Sequence, residues 1–344
     1  MMHTTMPAMS EVEFAWVDDD VEPASVYLGR AYQSMLAGHD GTEPRLLRIS
    51  AGGQSAYLPI LLKGLGNGCS EAYSAYGYGG LFGQLVLSEA HVEAMRTFLA
   101  RESVVCMFIR HSPFLRNELR WPDALTELNR HTYAVALQPT KAFDDYLACL
   151  PQKVRWSVNF ARRAGLGVRF TPLSELSSSS LQAFYALYAG LMLQKQTSDY
   201  YLFSERFFQE HARVLGKQCE LAEIVDPVTG DLMAGALFLI EEAGWAHYHL
   251  SAARPEAMKQ QGMELLLASA IYRYGNQGMR GLHLGGGHLL DETDGLSRFK
   301  AKFSTGRLAF FCTKLVCDEA AYGQERARLP LSKPNFFLVS DARG

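Results

Sequence analysis

Met263, Leu266, Leu267, Ala270, Ile271 and Tyr274 recur at i, i+3, i+4, i+7, i+8 and i+11, and Gly275 follows where a helix cap is expected. This is the clearest helix in the chain, and its flanks constrain the fold. Three strand-like runs precede it: Cys219–Val225, Leu232–Ile240 and Trp245–Ser251, the first two joined by the turn residues Asp226-Pro227-Val228-Thr229-Gly230. After it, Asn276–Gly278 lead into the apolar run Leu282-His283-Leu284 and then into Gly285-Gly286-Gly287-His288. The unit is strand, helix, strand, with a glycine loop at the carboxyl end of the last strand. Open α/β sheets commonly bind ligands there.

The segment that follows the loop sharpens the expectation of a site. Read as a helix, Leu296, Phe299, Lys300 and Phe303 fall on one stripe, so Lys300 shares the core face while Arg298 and Lys302 project elsewhere. Asp294 stands at the N-cap position. A lysine on an apolar face is either a stem packed on the core with its ammonium in water, or a fixed cation aimed at a phosphate or a developing oxyanion. Three consecutive glycines lose much entropy on folding, which favours a role beyond a plain turn.

The rest of the chain predicts a mixed α/β fold in two domains. Its 344 residues suffice for two cores, and 48% hydrophobic with 20% charged residues is an ordinary globular composition. A net charge of −3 leaves no electrostatic footprint for duplex nucleic acid. The start of the chain shows no basic region followed by an apolar core, and no apolar run approaches the roughly 20 residues that span a bilayer; a cytoplasmic location is expected. Six cysteines without a C-x-x-C pair predict reduced thiols and no metal.

In the first half, strands at Arg45–Ile49, Ser55–Leu62 and Val104–Ile109 surround a helix near Ser88–Arg101. The same order of elements returns in the second half, which suggests duplication. Helices are expected near Leu181–Gln194 and Ser204–Leu215, and the domain boundary near Pro151, giving domains 11–150 and 151–344.

Four further stretches could carry chemistry. Trp245, His247, His249 and Ser251 alternate along a strand and share a face, so either histidine could serve as a general base or be a satisfied structural residue. Gln152–Arg169 holds Lys153, Arg155, Arg162, Arg163 and Arg169 and no acid; on a helix Arg155 and Arg162 lie on one face, suited to phosphates or merely solvated. Tyr76-Gly77-Tyr78-Gly79-Gly80 combines close backbone approach with flat aromatic faces, as in a sugar or peptide site or an aromatic loop. Lys195 through Tyr200 and Tyr201 could line the same cleft.

Taken in order, Tyr76–Gly80, Lys153-x-Arg155, His247–Ser251, Leu284–Gly287 and Phe299-Lys300-x-Lys302-Phe303 resemble the Fem-type branch of the GNAT acyltransferase superfamily, and the chain is similar to the two-domain members found in envelope-polysaccharide gene clusters. The resemblance implies two tandem GNAT-like domains, each a mixed twisted sheet flanked by helices, and acyl transfer to an amine. It places Lys300 near the acyl donor. Acyl-CoA, acetyl-CoA in the simplest case, would be held by the loop before the central helix, here Lys259 and Gly262, and by Gly285, Gly286 and Gly287. One departure stands out: Glu264 occupies a position where a small residue is expected, and a carboxylate beside a pyrophosphate is repulsive.

The expected catalytic set is His249 as base, Asp294 as second base and Lys300 for the oxyanion or donor phosphate. The expected acceptor contacts are Tyr76, Tyr78, Arg155, Lys195 and Tyr200. The leading function is N-acylation of an amino sugar or lipid-linked glycan in cell-envelope polysaccharide synthesis, at the inner face of the membrane if the acceptor is a lipid. Two alternatives stay open: aminoacyl transfer from charged tRNA to a peptidoglycan precursor, and a non-catalytic protein that binds a glycan or precursor.

Overall fold

The computed structural model describes residues 12–19, 21–23, 25–196, 201–287, 293–328 and 336–340. Contacts divide the chain into two compact units. Unit 1 gathers residues 1–23, 27–127 and 311–344; unit 2 gathers residues 24–26 and 128–310.

In unit 1, β1 (Glu13–Val17), α1 (Arg30–Asp40), β2 (Glu43–Ala51), β3 (Gln54–Gly64) and β4 (Ser70–Tyr73) come first, and the four strands pair antiparallel in sequence order. The short β5 (Phe82–Gly83) pairs with β3. The chain then crosses through α2 (Glu89–Arg101), whose N-cap Ser88 forms a capping box with His91, and returns as β6 (Val104–Arg110) parallel to β4. Leu47, Ile49, Leu58, Ile60, Met95 and Leu99 are fully buried between sheet and α2.

Unit 2 opens with β7 (Glu127–Ala136), α3 (Phe143–Ala148), α4 (Gln152–Arg163), β8 (Arg169–Pro172), α5 (Ser178–Gln194) and α6 (Glu205–Leu215). Next come β9 (Cys219–Val225), β10 (Leu232–Ile240), β11 (Trp245–Ala253), α7 (Pro255–Lys259), α8 (Gly262–Asn276), β12 (Gly281–Gly285) and α9 (Gly295–Ala301). The strand order is β8-β9-β10-β11-β12-β7, with only the β11–β12 step parallel. β10 is buried almost throughout because helices or strands cover both its faces and edges, as its unbroken apolar run requires. A Cβ on Gly235 would sit 2.7 Å from the Phe184 ring, so this glycine lets α5 lie close on the sheet.

Gly275 does not cap α8. The helix continues to Asn276, and a Cβ at Gly275 would lie 2.6 Å from the Gln138 carbonyl oxygen. The glycine serves close packing, and Gly278, at φ +79°, makes the turn beyond the helix.

β13 (Gly306–Val316) leaves unit 2 at Phe310 and enters unit 1, followed by α10 (Glu319–Arg328). Both units repeat one order: an antiparallel meander, a helical crossover and a parallel return. The strand antiparallel to each return comes from the other half of the sequence, β13 beside β6 and β7 beside β12. Strands from both halves thus complete each sheet, which is why contacts separate the units between Glu127 and Leu128 rather than at Pro151. α3 lies before Pro151 and packs on α8.

Candidate active site

β12 ends at Gly285, whose φ of +73° turns the chain into Gly286 and Gly287. Two cations hold the loop's carbonyls: Lys300 Nζ donates to Gly286 O at 2.6 Å, and Arg130 Nη1 from β7 donates to Gly287 O at 3.0 Å. A Cβ on Gly287 would sit 1.8 Å from Ser297 Oγ and 2.4 Å from Asp294 Oδ2, so only glycine lets the loop lie against the start of α9. Asp294 is the N-cap: Oδ1 accepts from the Leu296 and Ser297 N–H groups at 2.9 and 3.0 Å, and Oδ2 from Ser297 Oγ at 2.7 Å. The cap orients the helix that carries Lys300.

Lys300 is 6% exposed. Its ammonium lies 5.9 Å from the centre of the Tyr248 ring on β11. Burial pulls its pKa down from 10.5 to about 7; Asp294 opposes that shift and Arg130 adds to it. The lysine predicted on the core face is therefore buried to its tip. Near neutral pH, it is divided between a proton donor and a proton acceptor. Tyr248 donates to Ser251 Oγ at 2.7 Å, and burial pushes its phenol up to about 12.

The two parallel strands pair only from Trp245 to His247 and from Gly281 to His283. Beyond these pairs, β11 runs toward α7 while β12 turns into the glycine loop. Gln261, in the left-handed conformation at φ +61°, leads into α8, and the N–H groups of the first turn have no carbonyl within the helix to bond. Gly262 lets this turn approach closely, since a Cβ there would meet Ala257 O at 3.1 Å, while Lys259 is exposed at the end of α7. Glu264 does not confront the helix start with a bare charge: Lys302 Nζ donates to its Oε1 at 2.9 Å. The repulsion expected from sequence is offset by a lysine from α9's C-cap.

His249 departs from the predicted alternation. Tyr248 faces Phe238 and Leu250 faces Leu237, which leaves His249 as the extra residue of a β-bulge. The bulge brings Ser251 to Tyr248, whereas strict alternation would put them on opposite faces. The His249 ring lies 5.6 Å from that of His211 on α6, and burial together with His211 and His247 holds its pKa well below the usual range. His247 Nε2 lies 3.2 Å from Glu241 Oε1, which also accepts from Ser25 Oγ. His283 Nε2 lies 3.0 Å from Thr132 Oγ1, and burial, with His247 and Lys300, holds its pKa well below the usual range.

The remaining predicted residues fall elsewhere. Arg155 Nη1 donates to the carbonyls of Ala148 and Leu150, and Arg162 pairs with Asp144 at 2.6 Å, so that face of α4 is bound to α3. Lys195 is exposed at the end of α5, and Tyr200 lies outside the described residues. Tyr76 and Tyr78 belong to unit 1. Tyr76 O accepts from Tyr32, and the Tyr78 ring meets those of Tyr27 and Phe114 edge-on. Their glycines are set by packing: a Cβ on Gly77 would strike the Tyr27 ring at 2.3 Å, and one on Gly80 would strike Asn117 at 2.5 Å. Sequence reasoning missed Arg130, Tyr248 and the Glu264–Lys302 pair. No spacing links these residues along the chain; only the order of strands does.

Residues 152–300 match the family model described as an acetyltransferase (GNAT) domain. Among curated proteins, none matches the sequence of this chain. Among solved structures, FemX superposes with a TM-score of 0.62 at 13% identity, over 87% of this chain and 94% of FemX. The C-terminal domain assigned to a lysylphosphatidylglycerol synthetase of Agrobacterium fabrum superposes with a TM-score of 0.55 at 16% identity, over 86% of this chain and 90% of that one. Residues 152–300 thus match a GNAT acetyltransferase domain, and the chain shares its fold with FemX.

Proposed function

We propose that this chain is an N-acyltransferase that moves an acyl group, acetyl in the simplest case, from acyl-CoA to the amine of an amino sugar or lipid-linked glycan in cell-envelope polysaccharide synthesis. The observation that carries the reading is Lys300, buried against the Gly286 carbonyl with a pKa of about 7. An amine must lose a proton to become an amide, and a base that titrates near the working pH takes it most effectively. The donor supplies a thioester whose thiol departs as the amide forms. Neutral Lys300 accepts the proton that the amine releases, while the carbonyl of Gly286 keeps Nζ in place. His249 holds a proton poorly, so the base role assigned to it from sequence passes to Lys300. Asp294, held by three donors, acts as a positioning residue.

The α8 start, Lys259 and Gly262 are proposed to receive the donor's phosphates, and the Glu264–Lys302 pair supports this by removing a charge conflict. Aminoacyl transfer from charged tRNA to a peptidoglycan precursor is the second reading, favoured by the single glycine and the Glu264 carboxylate at the start of α8.

The test is release of free thiol from acetyl-CoA in the presence of glucosamine or a glucosamine-bearing lipid. Amine-dependent release that falls at least about a hundredfold in kcat for Lys300→Ala supports the reading. An active Lys300→Ala variant with unchanged kcat/KM would remove it.

A further inference from the structure

Lys153, Trp156, Phe160 and Arg163 fall at i, i+3, i+7 and i+10 of α4, a single stripe turned away from the buried Val154, Val158 and Ala161. Trp156 is 56% and Phe160 37% exposed, and their rings stack at 5.2 Å and 19°. An aromatic pair left in water on a helix with free sides requires an explanation. The arginines the sequence singled out, Arg155 and Arg162, lie on the other flank and are bound to α3.

The stripe continues onto neighbouring elements of unit 2. Pro227 Cγ lies 3.6 Å from where a Gly165 Cβ would be, so the β9–β10 turn, with Val228 at 91% exposure on its tip, sits beside the end of α4. Ser157 donates to Gln261 Oε1 at 3.1 Å, which places the N-cap of α8 beside the middle of α4, three residues after Met258 at 53% exposure. Four of the nine exposed large hydrophobic residues among the described ones, Trp156, Phe160, Val228 and Met258, therefore gather on one rim. The concentration is not chance scatter of surface residues.

The charges of the rim select the occupant. Lys153, Arg163 and Lys259 are exposed and make no ion pair among the described residues. Of the acids nearby, Asp226 is held by the Val228 and Thr229 N–H groups of its own turn, Asp231 lies 4.0 Å from Arg254, and Glu256, about one turn before Lys259 on α7, forms no ion pair with it. Unpaired cations interspersed with an interfacial tryptophan and protruding aliphatic tips match a bilayer with anionic headgroups, where apolar tips enter the headgroup boundary and the cations meet phosphate. We infer that this rim docks the protein on an anionic lipid surface. Lys259 is shared with the donor site proposed above, whereas Lys153, Arg163, Trp156 and Phe160 are not, and the test reads no turnover.

The test is co-sedimentation of the full chain with vesicles of phosphatidylcholine containing roughly one-third phosphatidylglycerol, against vesicles of phosphatidylcholine alone. The expected result is binding to the anionic vesicles only, reversed by high salt, with a blue shift of tryptophan emission that Trp156→Ala abolishes. The triple change Lys153→Gln, Arg163→Gln, Lys259→Gln weakens partition about a hundredfold, and Trp156→Ala with Phe160→Ala at least about tenfold. All five positions are exposed, so unchanged circular dichroism and melting separate lost docking from lost folding. Absence of binding to anionic vesicles, or binding equal in all variants, overturns the inference. So does a gel shift with bulk tRNA that the same variants abolish, which would assign the rim to nucleic acid.

Discussion

Lys300→Met removes a buried charge whose energetic cost depends on pH in a way the structure specifies. The folded protein loses the Lys300 proton near pH 7, whereas the unfolded chain holds it up to about 10.5. Below pH 7, both states are protonated and the folded state bears the full desolvation of the ammonium. Between pH 7 and 10.5 the unfolded state binds the extra proton, so stability rises with pH across that window; above it the penalty is gone. A fall from 10.5 to about 7 corresponds to roughly 5 kcal/mol. Methionine keeps most of the stem and gives up the bond to Gly286, worth about 1 kcal/mol. Urea unfolding followed by circular dichroism, at intervals from about pH 6 to about pH 10, should show the variant more stable than wild type at the acid end by several kcal/mol. The gap should close toward the alkaline end. Curves that run parallel across the window would refute the assignment of a desolvated lysine and remove the basis for its role as a base.

Three other outcomes follow from the same geometry. If neutral Lys300 accepts the amine's proton, kcat/KM rises with pH through about 7 and then levels, whereas a fall through that point would assign Lys300 as a cation for the oxyanion. Gly287→Ala forces a Cβ into Ser297 and Asp294, so it should lose the α9 cap, about 1 kcal/mol or more by thermal melting, together with nearly all turnover. Lys302→Gln strands the largely buried Glu264 and should cost about 2 kcal/mol in urea unfolding, and it should raise the KM for acetyl-CoA more than it lowers kcat, with Glu264→Gln in the same chain restoring both.

How much of this was legible beforehand depends on whether the signal was local. β9 and β10 were readable to the residue because unbroken apolar runs end at turn residues, and α8 was readable from its periodicity. Asp294 as a cap and Lys300 on the core face follow from spacings within one helix, and both hold. Gly275 was misread because a cap and a close packing contact demand the same residue; only the position of Gln138 tells them apart. The bulge at His249 adds a residue without changing composition, so alternation failed from that point to Ser251. Lys302, Glu264 and Arg130 come from three elements, and their meeting depends on strand order. The boundary expected at Pro151 marks the start of a helix, whereas the exchange of β7 and β13 between halves leaves no local trace.

The proposal that unit 2 transfers an acyl group from CoA is tested most directly by calorimetric titration of the purified chain with acetyl-CoA. The account predicts saturable binding in the micromolar range that weakens when Lys302 or Lys300 is replaced. No heat with acetyl-CoA or with longer acyl-CoAs, together with transfer supported by charged tRNA, would contradict it.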